Sequence, residues 1–145
     1  MSLIRITKEF KFEMAHALLG YDGPCRNIHG HSYVLEVTVL GTPIQDTANP
    51  KNGMVLDFGD LKTIVYREIV DQLDHALVLN EQTPDTDFSL YEKVLYLPYQ
   101  PTSENMVLDF VDRIKRNLPD SVSLAAVRLY ETATSFAEWN SNDNL

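Results

Sequence analysis

Apolar and polar positions alternate from Phe10 to His16, with Phe10, Phe12, Met14 and His16 on one parity and Lys11 and Glu13 on the other. This two-residue period predicts a half-buried strand whose apolar face ends in a histidine. A turn-rich stretch follows, Gly20-Tyr21-Asp22-Gly23-Pro24, and then a second alternating run puts His29, His31, Tyr33, Leu35, Val37 and Val39 on one face. From Gly41 to Gly53 the prolines, asparagines and lack of period predict a loop or an irregular hairpin extension. Asp57 is placed to cap a helix reaching about Leu73, with Leu61, Ile64, Val65, Glu68 and Leu73 near the 3.6-residue period. Asn80 to Pro101 holds Pro84, Pro98 and one short apolar run, Val94 to Leu97, and reads as a long connection. Thr102 or Ser103 caps a second helix, in which Met106, Val107, Phe110, Ile114 and Leu118 recur at helical spacing until Pro119 stops it. Ala125, Val127, Leu129 and Glu131 then share one parity of a strand, Thr132-Ala133-Thr134 turns, and Ser135 to Trp139 returns antiparallel.

The order strand, strand, helix, helix, strand, strand predicts an α+β domain spanning residues 1–145, a four-stranded antiparallel sheet with two helices on one face. The other face needs cover as well, and oligomerisation is one way to supply it. The composition, 44% hydrophobic and 23% charged, lies in the ordinary globular range. Charge narrows the partners: 12 Lys and Arg against 21 Asp and Glu give a net charge of −9, a field that repels nucleic-acid backbones and anionic lipid. The same field disfavours a small phosphorylated substrate unless some of the basic residues gather locally. With a single cysteine no intrachain disulfide forms. The N-terminus MSLIRITKEFKF has no signal-like apolar region, and no run approaches the roughly 20 apolar residues of a membrane span, so a cytoplasmic protein is expected.

His29-Gly30-His31 projects two imidazoles to the same side of a strand, and Gly30 permits close backbone approach. Alone, an HxH is a weak signal. If the first two strands pair antiparallel, however, His16 arrives beside His29 and His31, and three imidazoles converge at the apolar ends of neighbouring strands. Three uncoordinated imidazoles would each need a partner, and one metal satisfies all three. Three histidines with an exchangeable fourth position is the pattern of a catalytic zinc site, although nickel, copper and iron also accept imidazole.

Cys25, four residues before His29, is a small buried hydrophobe, a fourth ligand closing a structural site, or a thiolate base beside the cation, with Arg26 placed to assist. Asp74-His75 follows the first helix, where a histidine suits the helix dipole or forms an acid–base couple with the aspartate opposite Cys25. Glu131 is either a water-exposed edge carboxylate or an inward one matched to the adjacent N–H donors of a guanidine-like edge. Glu104 reads first as an acidic residue complementing a helix N-terminus.

In this order the pieces Phe12-Glu13-Met14-Ala15-His16, Cys25 through His31, Gly53 through Lys62, Leu73-Asp74-His75, Pro101-Thr102-Ser103-Glu104 and Tyr130-Glu131-Thr132 span nearly the whole chain. The sequence so resembles the 6-pyruvoyl-tetrahydropterin and 6-carboxy-tetrahydropterin synthases. The resemblance implies a tunnelling fold in which trimers close their sheets into a β-barrel and two trimers stack into a homohexamer, with active sites between subunits. It implies one Zn2+ per protomer on His16, His29 and His31, with Cys25, Asp74 and His75 catalytic. Glu131 would anchor a pterin triphosphate substrate with help from Thr102, Ser103 and Glu104. The three residues between Cys25 and His29 resemble the 6-carboxy-forming lyase of the queuosine pathway more than the pyruvoyl-forming lyase of tetrahydrobiopterin synthesis, which typically has a longer interval. The stretch from Glu81 to Gln100 is longer than the family usually places there. A non-catalytic zinc-stabilised binding protein closed by Cys25, and a metal-assisted hydrolase that leaves Cys25 and Glu131 without roles, are the competing readings.

Overall fold

The computed structural model describes residues 2–84 and 88–145. Its first strand, β1 (Ile4–His16), pairs antiparallel with β2 (His29–Gly41) in an unbroken register that sets His16 opposite His29 and Met14 opposite His31. Alternation decides the faces, so that Phe10, Phe12, Met14, Tyr33, Leu35, Val37 and Val39 all point into one core.

The first helix, α1 (Phe58–Val65), begins at Asp57, whose side chain accepts the Gly59 N–H at 2.7 Å. It runs on through a π-helical stretch (Tyr66–Val70) into a last turn, α2 (Asp71–Leu73). Buried Leu61, Val65, Ile69, Val70 and Leu73 keep one continuous stripe against the sheet across the change of pitch.

Two strands follow that the period did not predict: β3 (Ala76–Asn80) and β4 (Val94–Leu97). The sheet therefore has six strands, not four, in the order β4-β3-β1-β2-β5-β6, and it is mixed, because β3 lies parallel to both β1 and β4. The reason is burial on both sides of β3. Ala76, Leu77, Val78 and Leu79 are all below a tenth exposed, so the strand has no alternation to read. The connection between β3 and β4 is correspondingly shorter than the long loop expected; residues 85–87 of it lie outside the described residues.

The second long helix, α3 (Ser103–Lys115), is capped by Thr102 and buries Met106, Val107, Phe110, Val111 and Ile114. The last hairpin, β5 (Val122–Thr132) and β6 (Ser135–Asn140), adds to β2, with one extra residue, Ala125, bulged between the pairs Thr38–Ala126 and Val39–Leu124.

Both helices cover the same face of the sheet. The other face is mostly polar: Thr7 and Thr38 share a hydrogen bond of 2.7 Å, Ser32 donates to Glu13, and Arg128 reaches Glu138 at 2.8 Å and Glu36 at 3.6 Å. Among the described residues no helix is long and apolar enough to cross a membrane.

Candidate active site

The register of β1 and β2 brings His16 and His29 face to face, with Nε2 atoms 3.0 Å apart, and His31 stands two residues further along the same face. Their rings lie 4.6 to 5.2 Å apart, centre to centre. The outer nitrogens are already committed: Nδ1 of His16 donates to the Pro101 carbonyl at 2.8 Å, and Nδ1 of His29 donates to the Asn27 carbonyl at 2.7 Å. A carbonyl only accepts, so both Nδ1 atoms carry the proton and, in the neutral rings, both Nε2 atoms present lone pairs to each other. Burial holds the His16 pKa below its ordinary value, against the raising effects of the Pro101 carbonyl and Glu131 and with the neighbouring histidines, so the ring favours the neutral form.

Glu131 completes the group. One residue beyond the Val34–Tyr130 pair, its Oε1 lies 2.9 Å from His31 Nε2 and 3.4 Å from His16 Nε2. The contact with His31 lacks hydrogen-bond direction, and His31 Nε2 is left buried without a donor or acceptor. The four side chains offer ligand atoms that all lie within 4.8 Å of one another. Facing lone pairs and an orphaned buried nitrogen are the arrangement a divalent cation satisfies, so the residues present fit a metal. The carbonyls behind them set tautomer and ring orientation, as supporting groups do in metal sites.

The N-terminus of α3 braces this cluster from a distant part of the chain. Pro101 holds His16, and Ser103, itself buried, donates from Oγ to Glu131 Oε2 at 2.7 Å. Thr102 spends its hydroxyl on the helix cap, while Glu104 sits exposed in the first turn, where its charge suits the dipole.

Cys25 lies on a single 3-10 turn (Pro24–Arg26), pinned to the end of β1 by the Leu18 N–H donating to its carbonyl at 2.9 Å. The thiol is part-exposed and stands outside the four-atom cluster, whose fourth member is Glu131. Gly30 is exposed, and a Cβ there would find its nearest neighbour, the Met14 carbonyl, at 3.6 Å, so close backbone approach is not what the glycine provides.

Asp74 and His75 form their couple, Oδ1 to Nδ1 at 3.1 Å, on the other side of β1 beside Glu13. The Glu13 N–H, reinforced by His75 and Lys93 against partial desolvation, holds the Asp74 carboxyl below its usual range. His75 is largely exposed and takes φ +62°, left-handed backbone that a histidine adopts only at a cost. An open cavity of about 790 Å³ lies here, lined among others by Glu13, His31, Ser32, His75, Tyr91 and Lys93. It is lined by one cluster histidine and by His75, but by neither Asp74 nor Cys25.

Parity alone filed Tyr33 with the core. Its hydroxyl is buried without a partner, and burial, with the charges of Glu131 and Cys25, raises its pKa. A polar tip on the inward parity next to the histidines was the available signal.

The family model for 6-pyruvoyl tetrahydropterin synthase matches residues 5–142. A 6-carboxy-5,6,7,8-tetrahydropterin synthase of Haemophilus influenzae is 38% identical over 144 residues, covering 94% of this chain and 99% of the relative. One of Aquifex aeolicus is 31% identical, covering 92% and 96%. Among solved structures, a 6-pyruvoyl tetrahydropterin synthase of Plasmodium vivax superposes with a TM-score of 0.73 at 18% identity, over 96% of this chain and 98% of its own. The corresponding Caenorhabditis elegans protein gives 0.69 at 24% identity, over 97% and 96%. The fold is thus the tunnelling fold, and with the family's model and the relatives matching nearly the whole chain, this chain belongs to the 6-pyruvoyl tetrahydropterin synthase family.

Proposed function

We propose that this protein is a zinc-dependent lyase that converts 7,8-dihydroneopterin triphosphate and one water to 6-carboxy-5,6,7,8-tetrahydropterin, acetaldehyde and triphosphate, in 7-deazaguanine (queuosine) synthesis. The observation that carries the reading is the pair of tautomer-fixed Nε2 lone pairs of His16 and His29 at 3.0 Å, with His31 Nε2 orphaned beside them. The relatives named for the carboxy-forming activity, and the three residues between Cys25 and His29, favour that product over the pyruvoyl one.

His16, His29 and His31 would hold the zinc, which supplies a Lewis acid that stabilises negative charge developing on a substrate oxygen. Cys25, in its thiolate form, takes a proton from a carbon of the hydroxylated arm that the substrate carries on its pterin ring. Glu131 receives the adjacent N–H donors of the pterin, with Ser103 orienting the carboxylate. Asp74 and His75 move the second proton. Their place beside Glu13, outside the histidine cluster, suits a couple that serves a neighbouring protomer's thiol, and the edges of the described sheet at β4 and β6 suit the closure of trimers into a barrel.

The test is incubation of zinc-loaded protein with 7,8-dihydroneopterin triphosphate, following products by mass, for wild type and Cys25→Ala. Wild type is expected to release acetaldehyde and 6-carboxy-tetrahydropterin, and the variant to keep its metal while losing about 10²–10⁴-fold in rate. Accumulation of 6-pyruvoyl-tetrahydropterin would assign the pyruvoyl-forming reaction instead. Loss of metal in the variant would make Cys25 a ligand of a structural site, and undiminished turnover would remove the thiol from the mechanism.

A further inference from the structure

No step assigned above uses the stretch 81–100, yet it sends one side chain into the turn that carries the Asp74–His75 couple. Lys93, the residue before β4, is fixed on its backbone side by β3, since its carbonyl accepts the Leu77 N–H at 2.9 Å. Its half-buried side chain crosses to the end of α2 and donates from Nζ to the Asp71 carbonyl at 2.8 Å and to the Asp74 carbonyl at 2.6 Å. The first of these bonds is the ordinary use of a lysine at a helix C-terminus, where the last carbonyls have no partner within the helix.

The second bond acts on the couple itself. The Asp74 carbonyl and the His75 N–H belong to one planar peptide unit, the unit that joins the two residues. Lys93 holds that plane by its oxygen, and the Glu13 carbonyl holds it by its N–H, 2.6 Å from the His75 nitrogen. Glu13 in turn donates its own N–H to Asp74 Oδ1 at 2.9 Å. The plane leads into His75 at φ +62°, left-handed backbone that a residue with a Cβ keeps only where its surroundings hold it there. The His75 side chain is 77% exposed, so packing does not fix the imidazole, and its 3.1 Å contact with Asp74 follows from the backbone. The Glu13 N–H first, then His75 and last the charge of Lys93 hold the Asp74 carboxyl below its usual range.

We propose that Lys93 is a positioning residue for the Asp74–His75 couple: by holding the carbonyl of the peptide between them, it keeps carboxylate and imidazole in the geometry that passes a proton. Lys93 takes this role only if the couple acts as acid and base, as assigned above. To that assignment it adds an anchor from a distant part of the chain.

The test measures kcat and KM of zinc-loaded protein with 7,8-dihydroneopterin triphosphate for wild type, Lys93→Met, Lys93→Arg, His75→Ala and the Lys93→Met/His75→Ala double variant. Amide hydrogen exchange of residues 71–77, followed by mass spectrometry without substrate, is measured beside it. Lys93→Met is expected to lower kcat about 10–100-fold with little change in KM, as a misplaced acid–base group does, and to speed exchange across 71–77. Lys93→Arg, which keeps N–H donors for both carbonyls, should restore most of the rate and of the protection. His75→Ala should lower kcat about 10²–10⁴-fold, and adding Lys93→Met to it should lower kcat little further, because the lysine acts through the couple. Wild-type kcat in a folded Lys93→Met, or a second loss of full size in the double variant, would overturn the proposal. Should Lys93→Met fail to fold, Lys93→Gln, shorter and uncharged, takes its place under the same criteria. Undiminished turnover in His75→Ala would instead bring down the acid–base role beneath it.

Discussion

Removing His29 should reverse the order of stability between wild type and variant according to whether zinc is present. Without metal, the His16 and His29 Nε2 atoms face each other at 3.0 Å with their other nitrogens held by carbonyls, an arrangement of acceptor against acceptor in a part-buried setting. His29→Ala removes that opposition together with one exposed hydrogen bond to Asn27, worth about 1 kcal/mol net, so the two proteins should differ by no more than about 1 kcal/mol. With free zinc at a hundred times its dissociation constant, wild type gains about 2.7 kcal/mol, because the metal binds only the folded ligand set. For a protein of this length that is a rise in Tm of about 5–11 °C, which the variant, one ligand short, should largely miss. The assay is thermal melting followed by circular dichroism at one fixed protomer concentration, in chelator and in buffered zinc. An equal zinc-induced shift in both proteins would refute the reasoning. So would a loss of several kcal/mol in the variant already in chelator, since the histidine would then be a structural prop.

Two further outcomes follow from the structure. Asp74 has a folded pKa below its ordinary value, so its contribution is present above the unfolded value near 3.9 and is lost as pH falls through the folded one; Asp74→Asn should therefore flatten the acid limb of a stability-against-pH curve below about pH 4, and an unchanged limb would contradict the Glu13 N–H contact. Light scattering at micromolar concentration should give a mass that is a multiple of three protomers, because the sheet ends in unpaired strands at β4 and β6, and a monomeric mass would exclude barrel closure.

The first hairpin and its histidines were legible because β1 and β2 are buried on one side only, so their alternation states both face and register. Glu131 was legible as an inward carboxylate for the same reason. That it meets His31 depends on β5 lying beside β2 with a bulge at Ala125, a tertiary fact with no local signal. β3 was hidden by its own burial, since Ala76 to Leu79 present apolar residues to both sides and follow a helix with hardly a turn between. The Pro101-Thr102-Ser103 stretch read as a helix start and is one, but only the folded molecule puts the Pro101 carbonyl on His16 and the Ser103 hydroxyl on Glu131. Asp74 and His75 read as a pair just past the first helix; the antiparallel packing of β1 against β2 and the parallel entry of β3 set that pair beside Glu13, which no local signal states.

The hairpin has a consequence for the order in which the molecule assembles. His16 and His29 are 13 residues apart, whereas His16 and the Pro101 carbonyl that orients it are 85 apart. Closing the longer loop costs about 1.7 kcal/mol more in conformational entropy, by the logarithmic dependence on length. The pairing that sets all three imidazoles on one face is therefore entropically cheaper than the contact that brings the start of α3 to His16. The cheaper contact places the imidazoles, and the costlier one, closed by the C-terminal half, supplies the carbonyl that orients His16.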